Sequence, residues 1–129
     1  MKTLLAVEAF IEGGTGLVLV AFPSLVATLL LGSPLDAPGA LTVARVAGVA
    51  LLAVVVACWL ARHDGHGRAA RGVVGAMALY NAGVLAVLGH ACLVLGLSGI
   101  ALWPAVLVHA VMAAWCLKSL DRSTAKPAV

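Results

Sequence analysis

The chain has 129 residues, 64% hydrophobic and only 10% charged, with a mean hydropathy of +1.15. A water-soluble domain carries about 45–50% apolar and about 25% charged residues, so this composition excludes an ordinary soluble fold and predicts an integral membrane protein. The formal charge of +3 comes from short basic clusters between apolar runs, a pattern that suits the headgroups of a lipid bilayer and gives no reason to expect nucleic acid as a partner.

Crossing a hydrocarbon core of about 30 Å takes roughly 20 apolar residues. Four runs reach that length: Lys2 to about Phe22, Ala40 to Ala61, Gly72 to Leu97, and Ile100 to Lys118. The expected fold is all-α, one domain over residues 1–129 built as a four-transmembrane-helix bundle. Lys2 ahead of Thr3 to Val7 resembles the start of a signal peptide, but Glu8 and Glu12 interrupt the apolar core, so the segment reads as a span. Beyond it, Pro23 and Ser24 open a short interfacial helix that stops at Gly32, because proline favours the first helical position and glycine the one past the last. If the span runs instead from about Glu12 to Leu31, both glutamates reach water.

Seven of the eight Lys and Arg residues fall on one side: Lys2, Arg62, Arg68, Arg71, Lys118, Arg122 and Lys126. The loops on the other side, Gly32 to Gly39 and Leu97 to Gly99, carry one charge, Asp36. Basic loops are retained in the cytoplasm, so both termini are expected there. Trp59 and Trp115 at that level, and Trp103 at the other, fit interfacial aromatic belts. The polar loop from Arg62 to Arg71 holds His63 and His66 at i, i+3, a spacing that binds a metal only with ligands from elsewhere. A solvated basic loop against anionic lipid is the expected state, and no metal is assigned.

Ionisable groups inside a bilayer are costly unless paired or neutralised, which makes Glu8, Glu12, Arg45, His90 and His109 functional candidates. Glu8 and Glu12 stand at i, i+4 on one helix face. Two dry carboxyls so close repel, so one is expected to hold a proton near neutral pH, the basis for a proton or cation site. Counted from the cytoplasmic ends, Glu12 lies ~15 Å deep, with His109 and Asn81 each at ~14 Å, which puts these three in one layer. His90, ~27 Å deep, belongs near the outer surface with Arg45 and Asp36, too far from His109 for the two to share a haem iron. Arg45 is expected to snorkel to phosphate or pair with Asp36.

Asn81 and His90 lie nine positions apart and so face opposite ways on one helix. His90 shares its face with Gly72, Ala76, Gly83 and Ala86, a small-residue stripe that lets helices approach closely and raises the prospect of a homo-oligomer or a membrane-protein partner. Gly13, Gly14, Gly16 and Gly48 are further close-packing positions. In the last span His109, Met112 and Cys116 share a face that would suit Cu(I), with Glu8 or Cys58 nearby, although buried methionine and cysteine are ordinary core residues. Cys58 and Cys116 on one side and Cys92 on the other do not form a reactive thiol pair, and no cofactor is expected.

The segment Ala44-Arg45-Val46-Ala47-Gly48, the Tyr80-Asn81 pair, and Leu102-Trp103-Pro104 followed by His109 resemble small bacterial four-span proteins that are broadly DoxX-like in size and layout. The resemblance implies a multi-pass protein of a bacterial inner membrane and supplies no catalytic residues. The chain is also similar in length and span number to small multidrug resistance transporters, whose first-span glutamate exchanges protons for a cationic drug, a role that Glu8 or Glu12 would occupy. It departs from them in lacking aromatic-rich second and third spans. Two functions follow as expectations. One is a small transporter or ligand-binding bundle in which Glu8 or Glu12 titrates, assisted by His109 and Asn81. The other is an accessory or assembly subunit without turnover, and no motif points to an enzyme.

Overall fold

A computed structural model of the chain describes residues 1–65 and 67–124. His66 and Lys126, which enter the loop and charge arguments, lie outside the described residues. The described residues form five helices and no strand: α1 (Lys2–Ala21), α2 (Pro23–Leu31), α3 (Pro38–Ala61), α4 (Arg68–Leu93) and α5 (Leu102–Thr124). Segments of α1, α3, α4 and α5 are long and apolar enough to cross a membrane. Their outward faces carry large apolar side chains such as Phe10, Val43 and Leu79, 70–85% exposed, the kind of surface that hydrocarbon covers.

The expected break after the first span is present, and its cause is local. Pro23 has no N–H to continue the α1 ladder, and it pushes Phe22 out of the helical region to φ −132°. α2 ends where Gly32 takes a left-handed φ of +79°, a conformation that costs other residues strain. The last carbonyls of α2 are satisfied from another part of the chain: the Gly99 N–H donates to Leu30 at 3.0 Å and the Ala101 N–H to Leu29 at 2.8 Å.

Three helices have bounds that differ from the expected ones. α3 starts at Pro38 rather than Ala40, with proline in its first turn. α4 runs from Arg68 to Leu93 rather than from Gly72 to Leu97. Its start is fixed by Asp64, whose carboxylate accepts from the Ala70 N–H at 3.1 Å and complements the positive end of the helix. α5 runs from Leu102 to Thr124 rather than from Ile100 to Lys118, because polar residues past the hydrocarbon limit continue the helix.

Packing is tightest within two pairs, α1 with α3 and α4 with α5. In the first pair a Cβ on Gly48 would lie 2.9 Å from the Gly16 carbonyl oxygen and 2.8 Å from Val20 Cγ2, so only hydrogen fits between the backbones. Contacts from Gly13 to Val55 and from Gly16 to Gly48 advance along α1 as they retreat along α3, which makes the two helices antiparallel. The core lies toward the end of the bundle that holds residue 1, among Leu4, Leu5, Ala9, Cys58, Val74, Met77, Met112 and Cys116. Farther along the pairs separate, and α2 lies against the gap.

Candidate functional site

Two consecutive residues of α4 meet the two carboxyls of α1. Glu8 and Asn81 are 0% exposed and Glu12 is 1% exposed. Asn81 Nδ2 donates to Glu8 Oε1 at 2.9 Å and to the Met77 carbonyl at 2.8 Å, while Asn81 Oδ1 stands 2.7 Å from His109 Nδ1 on α5. Cys116, also on α5, donates its thiol to Glu8 Oε1 at 3.4 Å. The Tyr80 hydroxyl donates to Glu12 Oε2 at 3.0 Å, and its ring meets that of His109 edge to face with centroids 5.8 Å apart. The four residues singled out from the sequence, Glu8, Glu12, Asn81 and His109, thus belong to one contiguous polar cluster that also contains Tyr80 and Cys116.

The depth arithmetic put Glu12, Asn81 and His109 in one layer and left their pairing open. Asn81 holds Glu8, not Glu12, and Glu12 is held by Tyr80. Counting from helix ends assumes that the helices start in one plane. α4 begins four residues before the expected Gly72 and α5 ends six residues after Lys118, so these ends lie about 6 Å and about 9 Å beyond the planes from which depth was counted. Tyr80 carried a signal that polarity and spacing arguments passed over: it is the sole tyrosine, set mid-span rather than in an interfacial belt.

Two carboxyl oxygens, Glu8 Oε2 and Glu12 Oε1, are buried without a hydrogen-bond partner. A buried carboxylate without a compensating charge costs several kcal/mol, so this pair is suited to take up a proton or a cation. Among the described residues no group of three or more His, Cys, Asp or Glu side chains is placed to hold a metal. The grouping that suggested Cu(I) is otherwise engaged, with His109 on Asn81, Cys116 on Glu8 and Met112 in the core.

A cleft of about 670 Å³ lies between the helix pairs, within the range of small-molecule sites. Its walls are apolar, including Val18, Val26, Leu30, Leu51 and Leu88, and its polar side chains are Thr15, Tyr80 and His109. α2 closes one side. A second apolar cavity of about 380 Å³ adjoins it, sharing Leu19, Val26, Leu30 and Leu88.

The other three candidates stand apart from this cluster. Asp36 and His90 are exposed. Arg45 is also exposed, and its Nε donates at 3.3 Å to the Val20 carbonyl, which the break at Pro23 leaves without a next-turn donor. Among the described residues Arg45 makes that hydrogen bond rather than a pairing with Asp36. Gly72, Ala76, Gly83 and Ala86 are exposed together with His90, so the small-residue stripe faces away from the bundle. The chain matches no protein-family profile, no curated protein and no solved structure with which it was compared.

Proposed function

We propose that this chain is an integral membrane protein with both termini in the cytoplasm, a small transporter or ligand-binding bundle that takes an apolar molecule into the cleft between its helix pairs. In this reading a first-span carboxyl, chiefly Glu12, releases or takes up a proton as the ligand binds and leaves. The observation that carries it is the continuity of cleft and network. Tyr80 and His109 line the cleft, and behind them Tyr80 reaches Glu12 while His109 reaches Glu8 through Asn81. A polar group arriving at Tyr80 or His109 therefore acts on groups bonded to buried, incompletely satisfied carboxyls, where electrostatic effects are larger than in water. The resemblance to small four-span bacterial proteins supports a bacterial inner membrane as the setting.

The test is binding of N-phenyl-1-naphthylamine, whose fluorescence rises in apolar sites, to the protein in lipid nanodiscs. Val84 lines the cleft, and Val84→Trp should fill enough of it to remove the protein-dependent signal. An undiminished signal in the variant, or none above protein-free nanodiscs in the wild type, would overturn the reading. The accessory-subunit alternative is favoured by one observation, the exposed stripe of Gly72, Ala76, Gly83 and Ala86, where a Cβ added at Gly72 or Gly83 meets nothing within 4 Å.

A further inference from the structure

The hydrogen-bonding directions inside the cleft are determined by the groups behind it. Asn81 Nδ2 faces the Met77 carbonyl, which only accepts, and Glu8 Oε1. Rotating the amide by half a turn would set its oxygen against the Met77 carbonyl oxygen, so the orientation with nitrogen toward Met77 is the one that satisfies the geometry. Asn81 Oδ1 is then the atom beside His109, and an amide oxygen only accepts. His109 Nδ1 must donate, which leaves Nε2 of the neutral imidazole as a lone pair. Among the described residues Nε2 has no hydrogen-bond partner. Tyr80 gives its hydroxyl proton to Glu12, and Thr15 gives its own to the Ile11 carbonyl at 3.0 Å. All three polar side chains of the cleft thus have their donors engaged by the protein, and what each offers a ligand is an acceptor.

We infer that the cleft selects for a hydrogen-bond donor: its ligand is an apolar molecule ending in a hydroxyl or ammonium group, received by His109 Nε2 and the Tyr80 oxygen. An ether or ketone of the same size brings lone pairs against lone pairs and leaves buried acceptors unmet on both sides. A donor-bearing ligand gains a net hydrogen bond, and an ether leaves its partner unsatisfied, so the preference is about tenfold or more. This inference deepens the ligand-binding reading and rests on it.

The experiment compares decan-1-ol, decan-1-amine and 1-methoxydecane as competitors of N-phenyl-1-naphthylamine on the full chain in nanodiscs, with protein-free nanodiscs correcting for partition into lipid. The alcohol and the amine should each displace the fluorophore at least about tenfold better than the ether, and His109→Phe should shrink that ratio by several-fold. Equal displacement by alcohol and ether in the wild type refutes donor selection while leaving the cleft as a binding site. Failure of all three to displace, with fluorophore binding unaffected by Val84→Trp, removes the cleft reading itself. If His109→Phe does not fold, the wild-type ratio of alcohol to ether decides alone, and a ratio near one overturns the proposal.

Discussion

Replacing Asn81 by leucine removes the group on which three bonds converge while keeping a side chain of similar length. The Met77 carbonyl loses only its extra donor. Glu8 Oε1 is left with the weak Cys116 thiol, and the His109 N–H loses its acceptor. Each buried group left unpaired costs about 1–3 kcal/mol in water-soluble proteins, whereas single interhelical bonds in membranes average nearer 0.6 kcal/mol and reach ~2. Two such groups, one of them a carboxyl, give a destabilisation of about 2–4 kcal/mol, or roughly 30-fold or more in the folding equilibrium. Reversible unfolding in mixed micelles with a rising fraction of dodecyl sulfate, followed by far-ultraviolet circular dichroism, measures this directly. Met77→Leu, a volume-conserving change in the same core, should cost less than about 1.5 kcal/mol. An Asn81→Leu protein within about 0.5 kcal/mol of wild type would refute the claim that this amide joins the helix pairs.

Gly48→Leu should prevent folding or lower stability by more than about 3 kcal/mol in the same assay, because the new side chain would occupy the space of the Gly16 carbonyl and Val20. Gly83→Leu should leave monomer stability within about 0.5 kcal/mol, since nothing stands within 4 Å of a Cβ there. If the α4 stripe is a self-association face, the same variant lowers the mass measured by light scattering in mild detergent, and an unchanged mass assigns the stripe to lipid. Reporter fusions at the two termini should read cytoplasmic, and a cysteine at exposed Ser33, placed in a background without the three native cysteines, should react with an impermeant thiol reagent from outside. A tail outside the cell would reverse the orientation.

The elements were legible where a backbone rule acts locally. Pro23 and Gly32 bracket α2 in the sequence as they do in space, since a missing N–H and a required left-handed φ need no tertiary information. The ends of α4 were not, because hydropathy reports where hydrocarbon stops and not where the helix stops. Arg68 and Arg71 look like loop yet lie in a helical turn that Asp64 caps. Within the site, polarity alone singled out Glu8, Glu12, Asn81 and His109, since each is costly in an apolar run and needs a partner. Which partner each takes depends on how far the helices slide past one another, and that offset follows from packing along whole helices. That Asn81 takes Glu8 while Tyr80 takes Glu12 follows from that offset. Arg45 is a similar case: the carbonyl it bonds is freed by a proline three residues further on, a link visible only once α1 and α3 are seen side by side.

Proton-linked binding is the central claim, and the number of protons exchanged per ligand tests it most directly. Titration calorimetry of the nanodisc-embedded protein with decan-1-amine at pH 7, repeated in buffers of different ionisation enthalpy, gives that number. An alkylammonium, like a lysine with its pKa near 10.4, stays charged at this pH, so an exchanged proton comes from the protein. Wild-type protein should release a substantial fraction of one proton per bound amine, Glu12→Gln should release none while still folding, and Glu8→Gln should retain most of the effect. Binding without proton release in the wild type, or release that survives Glu12→Gln, would contradict the account.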